Sequence, residues 1–247
     1  MRIPTAEELL NIWEYGLQQG PIQRALRLLG ACSGETSIDP LAKLSIGSRD
    51  ARLFQVRELL FGSRINSVTI CPACSDRLEW ESEVADLSGA SSEVLNRELS
   101  LETESHRLRF RLPNSEDLIA LATDSNTVRE DMRKCLIERC LIDASDAEGT
   151  AVGLANLPEH AVRAMIREME QADPQSNIRI SLTCPACGNC WEAVFDIVSF
   201  LWAEFNSWAE RILRSVHRLA DAYGWREADI LAMSPVRRQI YLQMVGE

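Results

Sequence analysis

Apolar residues first recur at helical spacing over residues 5–19, where Leu9, Leu10, Ile12, Trp13 and Leu17 share a face and Thr5 is placed to cap it. Gly20-Pro21 interrupts that pattern, and a second helix follows to about Leu29. After a loop with Gly34 and Pro40, IGSRDARLFQVRELLFG over 46–62 predicts a third helix, with Ser48 as its cap, Asp50 in its first turn and Gly62 as its stop. The period then changes. Residues 65–85 alternate and are β-branched on both sides of a CPAC turn, which predicts a β-hairpin with cysteines at its tip. Residues 178–197 repeat the plan: a β-rich approach, CPAC, and a return strand carrying a tryptophan (Trp80 in the first copy, Trp191 in the second).

Between the two hairpins, HRLRFRLP from His106 to Pro113 predicts a strand. Asn114 caps a following helix, a second helix runs from about Thr127 to Leu141, and Pro158 opens a third that ends before Asp173-Pro174. Beyond the second hairpin, Leu201, Phe205, Trp208, Ile212, Val216, Leu219 and Tyr223 fall at spacings of four and three, forming one apolar stripe on a long helix that Gly224 closes. WREADILAM predicts a short helix, and Ser234-Pro235 reads as N-cap and first position of a last one. These periods predict an α+β fold, mostly helical, in four parts. They are an N-terminal helical region (1–64), a ribbon made of 65–85 with 178–198, an inserted strand and helices (86–177), and a C-terminal helical region (199–247).

Composition narrows the function. At 46% apolar and 26% charged residues the chain is ordinary for a globular protein. Its net charge of −11 disfavours a nucleic-acid partner, which needs a basic face. Arginine outnumbers lysine, which occurs only as Lys43 and Lys134, and we read the skew as genomic base composition. The N-terminus has no apolar h-region and starts as a helix, and the most apolar stretch, around 197–208, is broken by Glu204 and Asn206, so neither a signal peptide nor a membrane span is expected. Eight cysteines without a secretion signal point to a reducing compartment, the cytoplasm, where paired cysteines more often hold metal than form disulfides.

Cys71, Cys74, Cys184 and Cys187 are the residues that carry chemistry. A CxxC turn presents two thiolates, and two such turns complete the tetrahedral set that one structural zinc ion requires. The long separation between the pairs is tolerable because loop-closure entropy grows slowly with length. Two other readings compete: a glutaredoxin-like redox pair, disfavoured because strands and not helices follow the cysteines, and a degenerate site that has lost its metal or closed as a disulfide. Cys190 reads as a bystander, Cys32 has no partner at metal spacing, and Cys135 and Cys140 read as core. His106, His160 and His217 read as ordinary side chains, and the acidic runs at 79–83 and 98–104 as solvated faces. With no Walker loop, G-x-S-x-G, GxGxxG or HExxH, the sequence predicts a protein that is not an enzyme. Trp202, Phe205 and Trp208 lie close together on the long helix; most are expected in the core, and any left exposed would anchor a partner, as could Arg237 and Arg238.

Four stretches in order carry a resemblance: GSRDARLFQVRELLFG leading into the first CPAC, then FRLPNSEDLIALA, then the second CPAC, then YGWREADILAMSPVRRQIYLQMV. Together they resemble the baseplate-associated proteins of contractile phage tails and phage-tail-like injection systems, and are similar to T-even phage baseplate hub assembly proteins. The first knuckle departs from that pattern, reading CPACS where glycine is usual, and the second carries the additional Cys190. The resemblance implies a non-enzymatic role in building a baseplate, through contacts with baseplate or hub proteins, in the cytoplasm or in a particle assembled there. The alternative is a zinc-ribbon module that binds nucleic acid or joins a regulatory complex.

Overall fold

The computed structural model describes residues 1–35, 37–88, 98–123 and 129–246. In chain order the elements are α1 (Ala6–Gly16), α2 (Pro21–Ser33), α3 (Asp39–Ala42), α4 (Ile46–Phe61), β1 (Arg64–Ile70), β2 (Arg77–Glu83), α5 (Val84–Leu87), β3 (Glu98–Glu102) and β4 (His106–Arg111). They continue with α6 (Ser115–Thr123), α7 (Arg129–Cys140), β5 (Leu141–Asp146), α8 (Glu159–Ala172), β6 (Arg179–Thr183), β7 (Cys190–Val194), α9 (Ile197–Tyr223), α10 (Glu227–Leu231) and α11 (Pro235–Val245). The fold is α+β, with helix predominating and small antiparallel sheets.

The chain forms two compact units, and they cut across the four stretches read in the sequence. One unit joins Met1–Thr36 to Val198–Glu247; the other is Ser37–Ile197 and takes in α4. In the first, α1 starts from a capping box: Thr5 Oγ1 accepts from the Glu8 amide at 3.2 Å and the Thr5 amide donates to Glu8 Oε2 at 2.7 Å. The indole of Trp13 donates to Asn206 Oδ1 at 2.9 Å, tying α1 to α9. Gly16 permits that approach, since a Cβ there would lie 2.4 Å from Trp202. At the far end of α9, Val216 and Leu219 pack with Ile230 under Tyr241, Leu242 and Val245 of α11.

The second unit is built around a three-stranded sheet in the order β3-β4-β5. Leu108 and Phe110 of β4 and Ala144 of β5 meet Ile137 and Cys140 of α7 and Ala161 and Met165 of α8 in one buried cluster. Two of these strands were not legible as strands. In β3, ELSLE, the glutamates do face solvent as expected, but Leu99 and Leu101 pack against the cluster. β5 begins directly after α7 at Leu141, the residue at which the helical pattern was expected to end. The expected start of the second inserted helix at Thr127 lies outside the described residues.

The cap of α4 is a correction: it is Ser45, not Ser48. Ser45 is extended and its Oγ accepts from the Ser48 amide at 3.2 Å. The start is fixed from outside the helix, because Ser45 bridges to Asn114 and the Ile46 amide donates to the Pro113 carbonyl at 3.1 Å. Asn114 in turn caps α6 in a reciprocal box with Asp117. The same helix start is fastened to the end of α8 by Asp173, which accepts from the Gly47 amide at 2.9 Å; a Cβ on Gly47 would fall 2.0 Å from that carboxylate.

Candidate metal centre

Two hairpins deliver the cysteines. β1 pairs antiparallel with β2 from Arg64↔Glu83 to Ile70↔Arg77, and β6 with β7 from Arg179↔Val194 to Thr183↔Cys190. Each register closes on a CPAC turn with the same backbone hydrogen bonds. The amide of Ser75 donates to the carbonyl of Cys71, and that of Gly188 to Cys184, both at 2.9 Å. The amides of Cys71 and Cys184 donate back to Asp76 and Asn189, again at 2.9 Å. Both turns need a left-handed residue directly after the second cysteine. Gly188 adopts it at φ +73° without cost, whereas Ser75, at φ +62°, is the only non-glycine with positive φ among the described residues. The departure from glycine in the first knuckle is therefore a strained residue in the same turn, and not a different turn. Ser75→Gly is expected to tighten zinc binding and Gly188→Ser to weaken it, each by about 1 kcal/mol or roughly fivefold in Kd, read by chelator competition. Equal affinities for both variants would contradict the shared turn geometry.

The four sulfurs meet. All lie within 4.8 Å of one another; Cys71 Sγ is 3.7 Å from Cys187 Sγ, and Cys74 Sγ is 3.6 Å from Cys184 Sγ. A zinc ion with bonds of about 2.3 Å sets its sulfurs about 3.8 Å apart, so the contacts between knuckles match the edges of a tetrahedron. No pair is a disulfide; all eight cysteines are free. Cys71 and Cys184 are buried, Cys74 and Cys187 exposed.

Backbone amides prepare the sulfurs to be anionic. The amide of Cys74, with that of Ala73, pulls the Cys71 thiol down to about 7 against desolvation. The Asp76 amide acts on Cys74 in the same direction, but the neighbouring Cys187 sulfur, desolvation and the Cys71 and Cys184 sulfurs push that thiol up to about 12. Cys187 also ends raised: the Asn189 amide and Cys74 pull it down, and desolvation and the other two sulfurs outweigh them. Four thiols packed this closely resist losing all their protons. A divalent cation among them reverses that balance, because a coordinated thiol is deprotonated outright.

A second contact holds the hairpins together. Phe195, just past β7, stacks on Phe54 of α4 at 5.9 Å between centroids and meets Trp80 of β2 edge-on at 5.9 Å. Its role was not legible in the sequence, since Phe54 lies in a helical pattern far from either knuckle. The remaining cysteines stand apart. Burial pushes Cys32 up to about 11 and Cys140 up to about 12, Cys135 is half-buried, and the exposed Cys190 sits with Thr183 Oγ1 at 3.4 Å, outside the four-sulfur set.

The residues considered for partner contact divide. Phe205 is fully buried, in line with Leu201 and Ala209 on the inner stripe of α9, so it is not a surface anchor. Trp202 and Trp208 are half-buried and pack on its two sides at 5.6 Å, with the Arg24 guanidinium 4.5 Å over the Trp202 ring. Arg237 is exposed, but Arg238 retains only 5% of its surface because it sits on the inner face of α11. No helix is long and apolar enough to cross a membrane among the described residues.

A protein family described as T4 bacteriophage base plate protein matches residues 18–202, a span that holds both knuckles and everything between them. No curated protein and no solved structure matches the chain.

Proposed function

This chain belongs to the T4 bacteriophage base plate protein family, and from that premise we propose that it is a zinc-ribbon protein that helps assemble the baseplate of a contractile tail-like particle. It acts by binding other baseplate or hub proteins and catalyses no reaction. The observation that carries the reading is the convergence of Cys71, Cys74, Cys184 and Cys187, from knuckles 110 residues apart, inside the matched region. Their sulfurs fit one zinc ion, and four thiolates leave it no open position for water or substrate, which favours a structural role.

Each hairpin is a two-stranded ribbon, a unit only marginally stable by itself. The ion joins the two ribbons at their tips, and the chain between them (β3 to α8) is thereby held at both ends. That fixes the presentation of the inserted domain to a partner. The free thiols this requires are kept reduced in the cytoplasm, where such particles are put together.

The test is genetic. In a producing cell, deleting the gene is expected to leave sheaths and tubes without complete baseplates under the electron microscope, and a Cys71→Ser copy is expected not to restore them. Normal particles from the deletion strain would overturn the assembly role. Restoration by the Cys71→Ser copy would overturn the part given to zinc.

A further inference from the structure

In a chain with 37 acidic and 26 basic side chains, two half-buried arginines on α2 are without a carboxylate. Arg24 and Arg27 make neither an ion pair nor a hydrogen bond among the described residues, and the Nε of each is covered from solvent with nothing to donate to. Aromatic rings hold them instead. The Arg24 Cζ lies 4.5 Å from the ring centroid of Trp202 on α9, and the Arg27 Cζ 3.8 Å from that of Tyr15 on α1. Both stacks belong to one patch at the end of α1. A Cβ on Gly16, next to Tyr15, would lie 2.4 Å from Trp202 and 3.4 Å from the Arg24 stem. A spacing of three places Arg24 and Arg27 on the same side of α2. Tyr15 itself is 52% exposed.

A guanidinium stacked on a ring by its face keeps its in-plane N–H donors available, and that fork is what a carboxylate meets with both oxygens. A partly covered cation without a counter-charge is costly, and a partner that brings one removes the cost. Tyr, Trp and Arg are also the residues that carry much of the binding energy at protein interfaces. We propose that this patch docks an acidic segment of a partner protein, whose Asp or Glu carboxylates are received by Arg24 and Arg27 while an adjoining apolar residue lies against Tyr15. Two guanidiniums on a chain of net charge −11 are too few to hold a nucleic-acid backbone, which takes a whole basic face. The same net charge repels an acidic protein elsewhere on the surface, so the patch sets where such a partner lands as well as how it binds. The assembly reading enters only in the expectation that the partner is a baseplate or hub protein.

Photocrosslinking in a producing cell tests this, with p-benzoylphenylalanine placed at Tyr15 of the full chain. The expected product is an adduct to another protein whose crosslinked segment, read by mass spectrometry, carries Asp or Glu beside the crosslink. Arg24→Gln with Arg27→Gln is expected to lower the yield about tenfold, with helical circular dichroism unchanged. Arg24→Glu with Arg27→Glu is expected to abolish it, and replacing the partner's acidic residues by arginine is expected to restore it. No adduct, an adduct to nucleic acid or to a second copy, or a crosslinked segment without acidic residues overturns the proposal. So does a yield that the paired Gln substitutions leave unchanged, or a charge reversal that the reciprocal change does not repair. An acidic partner from outside the baseplate supports the docking patch and counts against the assembly reading, so the two fail separately.

Discussion

A Cys71→Ser chain is expected to purify with no more than about a tenth of the zinc that the unaltered chain carries, and with both hairpins melted. Structural zinc contributes roughly 10–16 kcal/mol of apparent binding energy to small four-ligand sites, and all four thiolates are needed for it. Without the ion, two-stranded ribbons have little to hold them. The Phe54–Phe195–Trp80 contact remains, but it fastens the bases of the hairpins and not their tips. The cluster around Phe110 and Met165 contains no knuckle residue, so the helices α7 and α8 are expected to persist. Helical circular dichroism should therefore change little, while proteases gain access to residues 64–83 and 179–194. Full zinc content in the variant, or loss of all helical signal, would contradict the separation of metal site from core.

The second large effect is expected at Asp117. Its side chain is 1% exposed and receives Arg111 through both oxygens at 2.6 and 2.9 Å, Arg139 at 3.0 Å and the Asn114 amide at 3.1 Å. Asp117→Asn keeps the shape but leaves two guanidiniums around a neutral group that itself donates. Breaking a buried pair in this way costs about 3–5 kcal/mol; because Arg111 and Arg139 keep 31% and 43% of their side-chain surface, we expect the lower end, about 3 kcal/mol. Burial alone would raise the Asp117 carboxyl, but Arg111, the Asn114 amide and Arg139 together hold it below its ordinary value. The sign for stability follows. A carboxyl with a depressed folded pKa contributes its full stabilisation above the unfolded value of about 3.9, and loses it as pH falls through the folded pKa. Denaturant unfolding of the two chains from pH 7 down to about 3 should show a constant gap that closes only below about pH 4. Zinc loss at low pH affects both chains alike and cancels in the difference. A gap that is absent at pH 7, or that does not begin to narrow below about pH 4, would contradict the ion-pair account.

Much of this architecture was readable in the residues, for physical reasons that can be named. The hairpins were visible because β-branched alternation stops at a CPAC turn twice, and the α9 stripe because seven apolar residues keep helical spacing from Leu201 to Tyr223. Caps that satisfy their own helix, Thr5, Asn114 and Ser234, were likewise local. What escaped was set at long range. Ser45 caps α4 because a bridge to Asn114 fixes where the chain turns helical, and nothing near Ser45 announces that bridge. β3 was hidden by its glutamates and β5 by its continuity with α7, and both are strands because β4 pairs with them on either side. At the four-cysteine cluster the residue types and spacing were legible, while the strain at Ser75 and the clamp by Phe54 and Phe195 became apparent only once the two knuckles were side by side. Arg238 belongs with these, as a charged residue that the sequence offered for partner contact and that is instead covered by the packing of α11 on α9 and α10.

The central claim is that two distant cysteine pairs share one ion. Zinc K-edge X-ray absorption on the purified chain tests it most directly. The account predicts one zinc per chain with a single shell of four sulfurs at about 2.3 Å and no nitrogen or oxygen ligand. A shell with fewer than four sulfurs, a light-atom ligand, or a chain that carries no zinc while all four thiols remain free to react would contradict it.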